Sequence, residues 1–122
     1  MQIFRVIIAG CRGFTDYDKL CESCDHLLHD KLQTHRVIII SGHAAGSDAL
    51  GERYALEHGI DMELYPAEWT KYGRMAGAIR NDEMASSSDA LIAFWDGKSR
   101  GTKIMIEKAR KKGLAVTIVD VG

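Results

Sequence analysis

Arg5-Val6-Ile7-Ile8-Ala9-Gly10-Cys11-Arg12-Gly13-Phe14-Thr15-Asp16 decides the fold. Its first half is nearly all apolar and rich in Val and Ile, which suits a strand buried on both faces of a parallel sheet. The run stops at a glycine turn, and a helix-length segment follows. The same succession recurs twice. Arg36-Val37-Ile38-Ile39-Ile40-Ser41 leads into Gly42-His43-Ala44-Ala45-Gly46-Ser47-Asp48, and Ala90-Leu91-Ile92-Ala93-Phe94-Trp95 leads into Gly97-Lys98-Ser99-Arg100-Gly101-Thr102. Strand, glycine turn and helix start, three times over, set bare backbone N–H groups and helix N-termini along one sheet edge. Open α/β proteins bind anionic ligands at that edge.

Working outward, Ala115-Val116-Thr117-Ile118-Val119 is a further buried-type run, while Met62-Glu63-Leu64-Tyr65 alternates as an edge strand with one wet face does. The intervening segments have helical period. Residues 16–34 place Leu20, Cys21, Cys24, Leu27, Leu28 and Leu32 on one stripe at ~100° per residue. A second helix over 45–58 ends at Gly59, and a third covers about 77–87. A fourth, over 102–112, carries Lys108, Arg110, Lys111 and Lys112 at its negative dipole end before Gly113. The alternation predicts a Rossmann-like, doubly wound α/β three-layer sandwich, with five parallel strands in the order 3-2-1-4-5 and one domain over 1–122. The long connection from Pro66 to Ala76 is of a length that more often serves function than linkage.

Bulk properties bound the partners. The chain has 122 residues, 46% apolar and 27% charged, with a net charge of −1. That suits one globular domain and supplies no broad basic field, which argues against a nucleic-acid partner. Met1-Gln2-Ile3-Phe4-Arg5 leads into a strand without the pattern of a signal peptide, and no apolar stretch approaches the ~20 residues of a membrane span. A cytoplasmic protein with three reduced thiols, no membrane partner, no cofactor and no bound metal is expected.

Glycine at Gly10, Gly13, Gly42, Gly46, Gly97 and Gly101 lets a phosphate or ribose approach the backbone; the plain alternative is a set of tight turns. Thr15 or Asp16, Ser47 or Asp48, and Thr102 are the expected helix caps, and Asp48 is also a candidate ligand contact. The third loop is not a Walker A loop, because Ile92 stands where its leading glycine belongs, and the first does not complete G-x-G-x-x-G. Arg12 either forks onto a phosphate or carboxylate or is a solvated arginine. In Arg80-Asn81-Asp82-Glu83, Arg80 is placed to meet an anion. Glu83 is placed to accept from ribose hydroxyls or act as a base, or it merely complements a helix dipole. Cys21, Cys24, His26 and His29 have zinc-like spacing, but on a helix the cysteines face the apolar stripe and the histidines the far side. Cys11 lacks a paired base and His43 reads as a turn residue; Trp69 and Tyr72 are candidates to stack on a base, and Trp95 belongs to the core.

These segments, spanning about residues 4 to 120, resemble the SLOG superfamily, the Rossmann-like group that unites LOG-type and DprA-type proteins, and within it the small YspA-like branch. The resemblance implies binding of nucleotides or nucleotide-derived molecules by Gly10, Arg12, Gly13, Phe14, Gly42, Gly46, Asp48, Arg80, Asn81, Glu83, Asp96, Gly97, Ser99, Gly101 and Thr102. LOG-type members cut the N-glycosidic bond of nucleoside monophosphates with a glutamate three residues past a Gly-Thr pair. Gly101-Thr102 falls on that pair and Arg80 on the family arginine, yet Met105 stands at the glutamate position. His43 and Ser47 also depart from the G-G-A-x-G-A-D loop of the YspA-like branch. The leading expectation is therefore binding or sensing of a nucleotide derivative, without an assigned catalytic residue. The alternatives are an N-glycosidase using Glu83 or Asp48 and, third, a DprA-like DNA contact. A homodimer is expected from the general frequency of twofold assemblies.

Overall fold

Each Val- and Ile-rich run forms a strand. The computed structural model describes residues 1–122 and orders the elements as β1 (Ile3–Gly10), α1 (Tyr17–Thr34), β2 (Arg36–Ser41), α2 (Ser47–Glu57), β3 (Asp61–Leu64), α3 (Trp69–Tyr72), α4 (Ala76–Ser86), β4 (Ala90–Trp95), α5 (Arg100–Lys111) and β5 (Ala115–Asp120). The five strands make one sheet in the order β3-β2-β1-β4-β5, and every pair is parallel. This is the doubly wound Rossmann-like architecture that the alternation of periods implies.

Side-chain alternation along β1 divides the core into two layers. Val6 and Ile8 pack with Leu20, Cys24 and Leu28 of α1 and Tyr54 of α2. Ile7 and Ala9 pack with Met84 and Ala85 of α4 and Met105, Ile106 and Ala109 of α5. Gly51 brings α2 against the sheet: a Cβ there would lie 2.7 Å from Ile8 Cγ2. The central strand is sealed on both faces, with Val6, Ile7 and Ile8 fully buried. Each such side chain contributes about 1.5–3 kcal/mol on leaving water.

Several local expectations are revised. Asp16 does cap α1, accepting from the Lys19 N–H at 3.1 Å. Gly46 and Ser99 occupy the N-cap positions of α2 and α5, and neither helix has a side-chain cap. Ser47 instead donates to the Cys11 carbonyl at 2.9 Å, Asp48 accepts from the Ala44 N–H, and Thr102 is a buried residue of the first turn of α5. The connection 66–76 is not a bare loop, because it winds into α3 and a 3₁₀ turn at Gly73–Met75. On α1, Cys24 is in the core, where burial pushes its thiol up to about 12, while His26 and His29 face solvent. No helix is long and apolar enough to cross a membrane.

Candidate functional site

The order of the strands reverses between β1 and β4, so the loops after these two strands diverge and open a crevice at the carboxyl edge of the sheet. Cys11 ties the three glycine loops together there. Its carbonyl accepts from the Ser47 N–H at 3.1 Å and from the Ser47 hydroxyl, and its Sγ accepts from the Asp96 N–H at 3.2 Å and the Ser99 hydroxyl at 3.3 Å. Gly46 makes the junction possible. It has φ +71°, and a Cβ on it would collide with the carbonyls of Arg12 and Cys11. Asp96 shapes the third loop. The N–H groups of Ser99 and Lys98 hold its carboxyl at about 2, making it a turn-forming carboxylate.

Under these loops lies a cavity of about 410 Å³. Gly10, Arg12 and Gly13 line it from the first loop, Asp48 from α2, Arg80 and Asn81 from α4, and Ser99, Gly101 and Thr102 from the third loop and α5. Phe14 and Asp96 line a neighbouring recess on the α1 side instead, where Phe14 stacks on Phe94 at 5.3 Å between centroids. Gly42 lines a smaller side pocket of about 210 Å³ that opens beside Arg12 and Arg80 and carries Trp69 and His43 on its wall. Gly46, Gly97 and Glu83 line none of these spaces, and Glu83 is exposed. Tyr72 also stands apart, with Lys71 over its ring.

The cavity is rich in unpaired cationic groups. The Arg12 and Arg100 side chains take part in no hydrogen bond or ion pair, and the Arg80 side chain hydrogen-bonds only to neutral groups, donating to the Gly42 carbonyl at 2.6 Å and to Asn81 Oδ1 at 2.8 Å. Burial holds the Arg80 guanidinium below its ordinary range; Asp48 opposes that shift and Arg12 reinforces it. Asp48 is the one carboxylate on the cavity wall and is 7% exposed. Burial pushes it up to about 6, against the Ala44 N–H bond and the Arg80 charge, which pull it down. Arg80 and Asp48 converge over Gly42, where a Cβ would lie 2.7 Å from Arg80 Nη1 and 2.9 Å from Asp48 Oδ2. Thr102 is 6% exposed, and its hydroxyl has no partner.

Sequence reasoning did not place Ala9, Cys11, Ala44, Met84, Arg100 or Met105 on the cavity wall. Arg100 was legible in principle, since it immediately precedes the second glycine of the third loop as Arg12 does in the first. From the sequence Met84 has no assigned role and Met105 stands out only at the glutamate position; both are core residues that also form the apolar floor of the cavity. Met105 thus reaches the position where the resemblance implies a glutamate, whereas Glu107 is exposed. His43 is not a plain turn residue. It holds φ 58°, the one non-glycine at positive φ, and its Nδ1 lies 3.0 Å from Glu52 Oε2.

The sequence profile of the YspA, cpYpsA-related SLOG family matches residues 4–72. Over 118 residues the chain is 31% identical to the Gene 61 protein of Mycobacterium phage D29, covering 92% of this chain and 93% of that protein. Among solved structures it is similar to one described as a predicted subunit of tRNA methyltransferase from Methanocaldococcus jannaschii, with a TM-score of 0.44 and 11% identity over 99% of this chain and 69% of the other. That last likeness is too distant to carry any argument about activity.

Proposed function

The chain belongs to the YspA, cpYpsA-related SLOG family, and from that premise we propose that the cavity beneath its three glycine loops binds a phosphate-bearing nucleotide or nucleotide derivative. One observation carries the reading: Arg12, Arg80 and Arg100 surround a single cavity, and none of them has a carboxylate partner. Guanidinium groups fork onto phosphate oxygens, and such charge-assisted bonds are about twice as strong as neutral ones. The uncapped N-terminus of α5 and the free Thr102 hydroxyl supply further donors on the same wall. Trp69, 55% exposed beside the cavity, offers a flat apolar surface to a base.

Holding fits the wall better than cleaving, since Met105 presents a thioether where LOG-type hydrolases carry their glutamate. Hydrolysis of an N-glycosidic bond remains the second reading on one ground, the Asp48 carboxylate on the cavity wall. Thermal unfolding with millimolar ribonucleoside 5′-mono-, di- and triphosphates tests the first reading. A ligand present at 100 times its Kd adds about 2.7 kcal/mol and raises the midpoint by several degrees. No shift with any nucleotide overturns it. Chromatography of the same mixtures for free base tests the second.

A further inference from the structure

Asp48 combines three properties that tight turns and helix caps do not explain. It is nine-tenths buried, it lines the cavity, and it accepts one hydrogen bond, from the Ala44 N–H to Oδ2 at 3.2 Å. It does not cap its own helix. Its Oδ1 has no partner and is not sealed inside the protein, since the buried side-chain oxygen without a partner is Ser88 Oγ. A carboxylate offers about four acceptor positions, and a desolvated one left short of donors is costly. Burial indeed pushes this group up, and a donor arriving with the ligand relieves that cost.

The neighbours narrow what that donor is. Arg80 stands beside Asp48 over Gly42, with Arg12 also on the cavity wall, so any ligand anion held by the guanidiniums brings its adjoining atoms to Asp48. No group of three or more His, Cys, Asp or Glu residues is arranged to hold a metal ion, which leaves Asp48 without the co-ligands a cation needs. The chemistry that joins a phosphate to hydrogen-bond donors a few bonds away is a phosphorylated sugar with free hydroxyls. Resting on the nucleotide reading, we propose that Asp48 is the specificity-determining residue of the cavity, accepting from ribose hydroxyls and so selecting ribo- over deoxyribo-ligands. Asp48 reads the sugar, whereas the arginines hold the phosphate. The selectivity arises because a deoxy ligand leaves the carboxylate desolvated and short of a donor.

Calorimetric titration with the 5′-mono-, di- and triphosphates of adenosine, guanosine, cytidine and uridine, each beside its 2′-deoxy and 3′-deoxy form, tests this on the wild-type protein. At least one ribonucleotide is expected to bind tenfold or more tightly than a deoxy counterpart. Asp48→Asn is expected to shrink that ratio to about two while retaining the deoxy ligand, because Asn commits its one acceptor oxygen to the Ala44 N–H. Ribo and deoxy forms binding alike overturns the role of Asp48 and leaves the nucleotide reading standing. A ratio unchanged in Asp48→Asn also overturns it. Absence of binding by every compound overturns both. The wild-type ratio decides the matter even if the variant fails to fold.

Discussion

Arg5 and Arg12 lie at opposite ends of β1 and have opposite fates. Toward the amino edge of the sheet, Arg5 forks onto Glu63 of β3 at 2.6 and 2.7 Å and also donates to the Tyr65 hydroxyl and the Ser87 carbonyl. Its positive charge is answered inside the protein. Beyond the carboxyl edge, Arg12 has no partner, and Arg80 and Arg100 face the same cavity without an ion pair, sharing its wall with the single carboxylate of Asp48. The same side chain thus serves cohesion at one edge and is left unanswered at the other. Parallel strands explain the asymmetry: each helix begins at the carboxyl edge, so donors and loop backbone collect there.

The sharpest way to break this comparison is to remove the open charges. The double variant Arg12→Ala with Arg80→Ala is expected to lose at least 100-fold in nucleotide affinity by titration calorimetry, about 3 kcal/mol, with about 1–2 kcal/mol of stability lost in urea because Arg80 also donates to the Gly42 carbonyl. Unchanged affinity would mean that the open cluster is not the site. At the other edge, Arg5→Ala is expected to lower unfolding stability by about 2 kcal/mol in urea, with the slope unchanged. Its nucleotide affinity is expected to stay within twofold of the wild type. A drop in affinity without a drop in stability would reverse the assignment of the two edges.

Acid sharpens the contrast, because the two edges respond with opposite sign. Asp48 is raised by burial to about 6, so the folded chain binds its proton more tightly than the unfolded chain does. That contribution to stability is largest at low pH and is lost as pH rises from about 4 through 6. Glu63 is lowered, first by its hydrogen bond from Arg5. Its contribution is present above the ordinary carboxylate range and is lost as pH falls through its depressed value. Urea midpoints of the ligand-free protein from pH 3.5 to 7 are expected to separate these terms. Asp48→Asn removes on the order of 1–2 kcal/mol of slope between about pH 4 and 6, and Glu63→Gln flattens the acid limb below it. A wild-type profile identical to that of Asp48→Asn over this window would show that Asp48 titrates normally.

Much of the fold was legible because buried parallel strands are written as Val- and Ile-rich runs. Each of the runs at β1, β2, β4 and β5 falls on a strand. The caps were less legible. Ser47 and Asp48 have the right chemistry for a helix start, but the distant Cys11 carbonyl claimed Ser47, and Asp48 turned back onto the Ala44 N–H of its own loop. Glu83 and Arg80 are three residues apart and neighbours on one helix face, yet the long Arg80 side chain reaches the Gly42 carbonyl and the cavity while Glu83 stays in solvent, a difference of tertiary contact that local composition does not encode. Cys11 looked like a loop thiol in search of a base. It is instead the atom-by-atom link between the glycine loops, and no pattern in its own segment announces that.

By itself, the sequence determined the layers, the strand order and the edge at which the loops gather. Period and right-handed crossover leave few other ways to bury such runs. Only the tertiary structure decided which charges are answered. Arg5 meets Glu63 from 58 residues away, whereas Arg12, Arg80 and Arg100 come together without forming an ion pair, with Asp48 as the one carboxylate on their wall. Hydrophobic pattern is a property of neighbours along the chain. Charge compensation is a property of neighbours in space, and it is fixed only when the sheet has set its two edges apart.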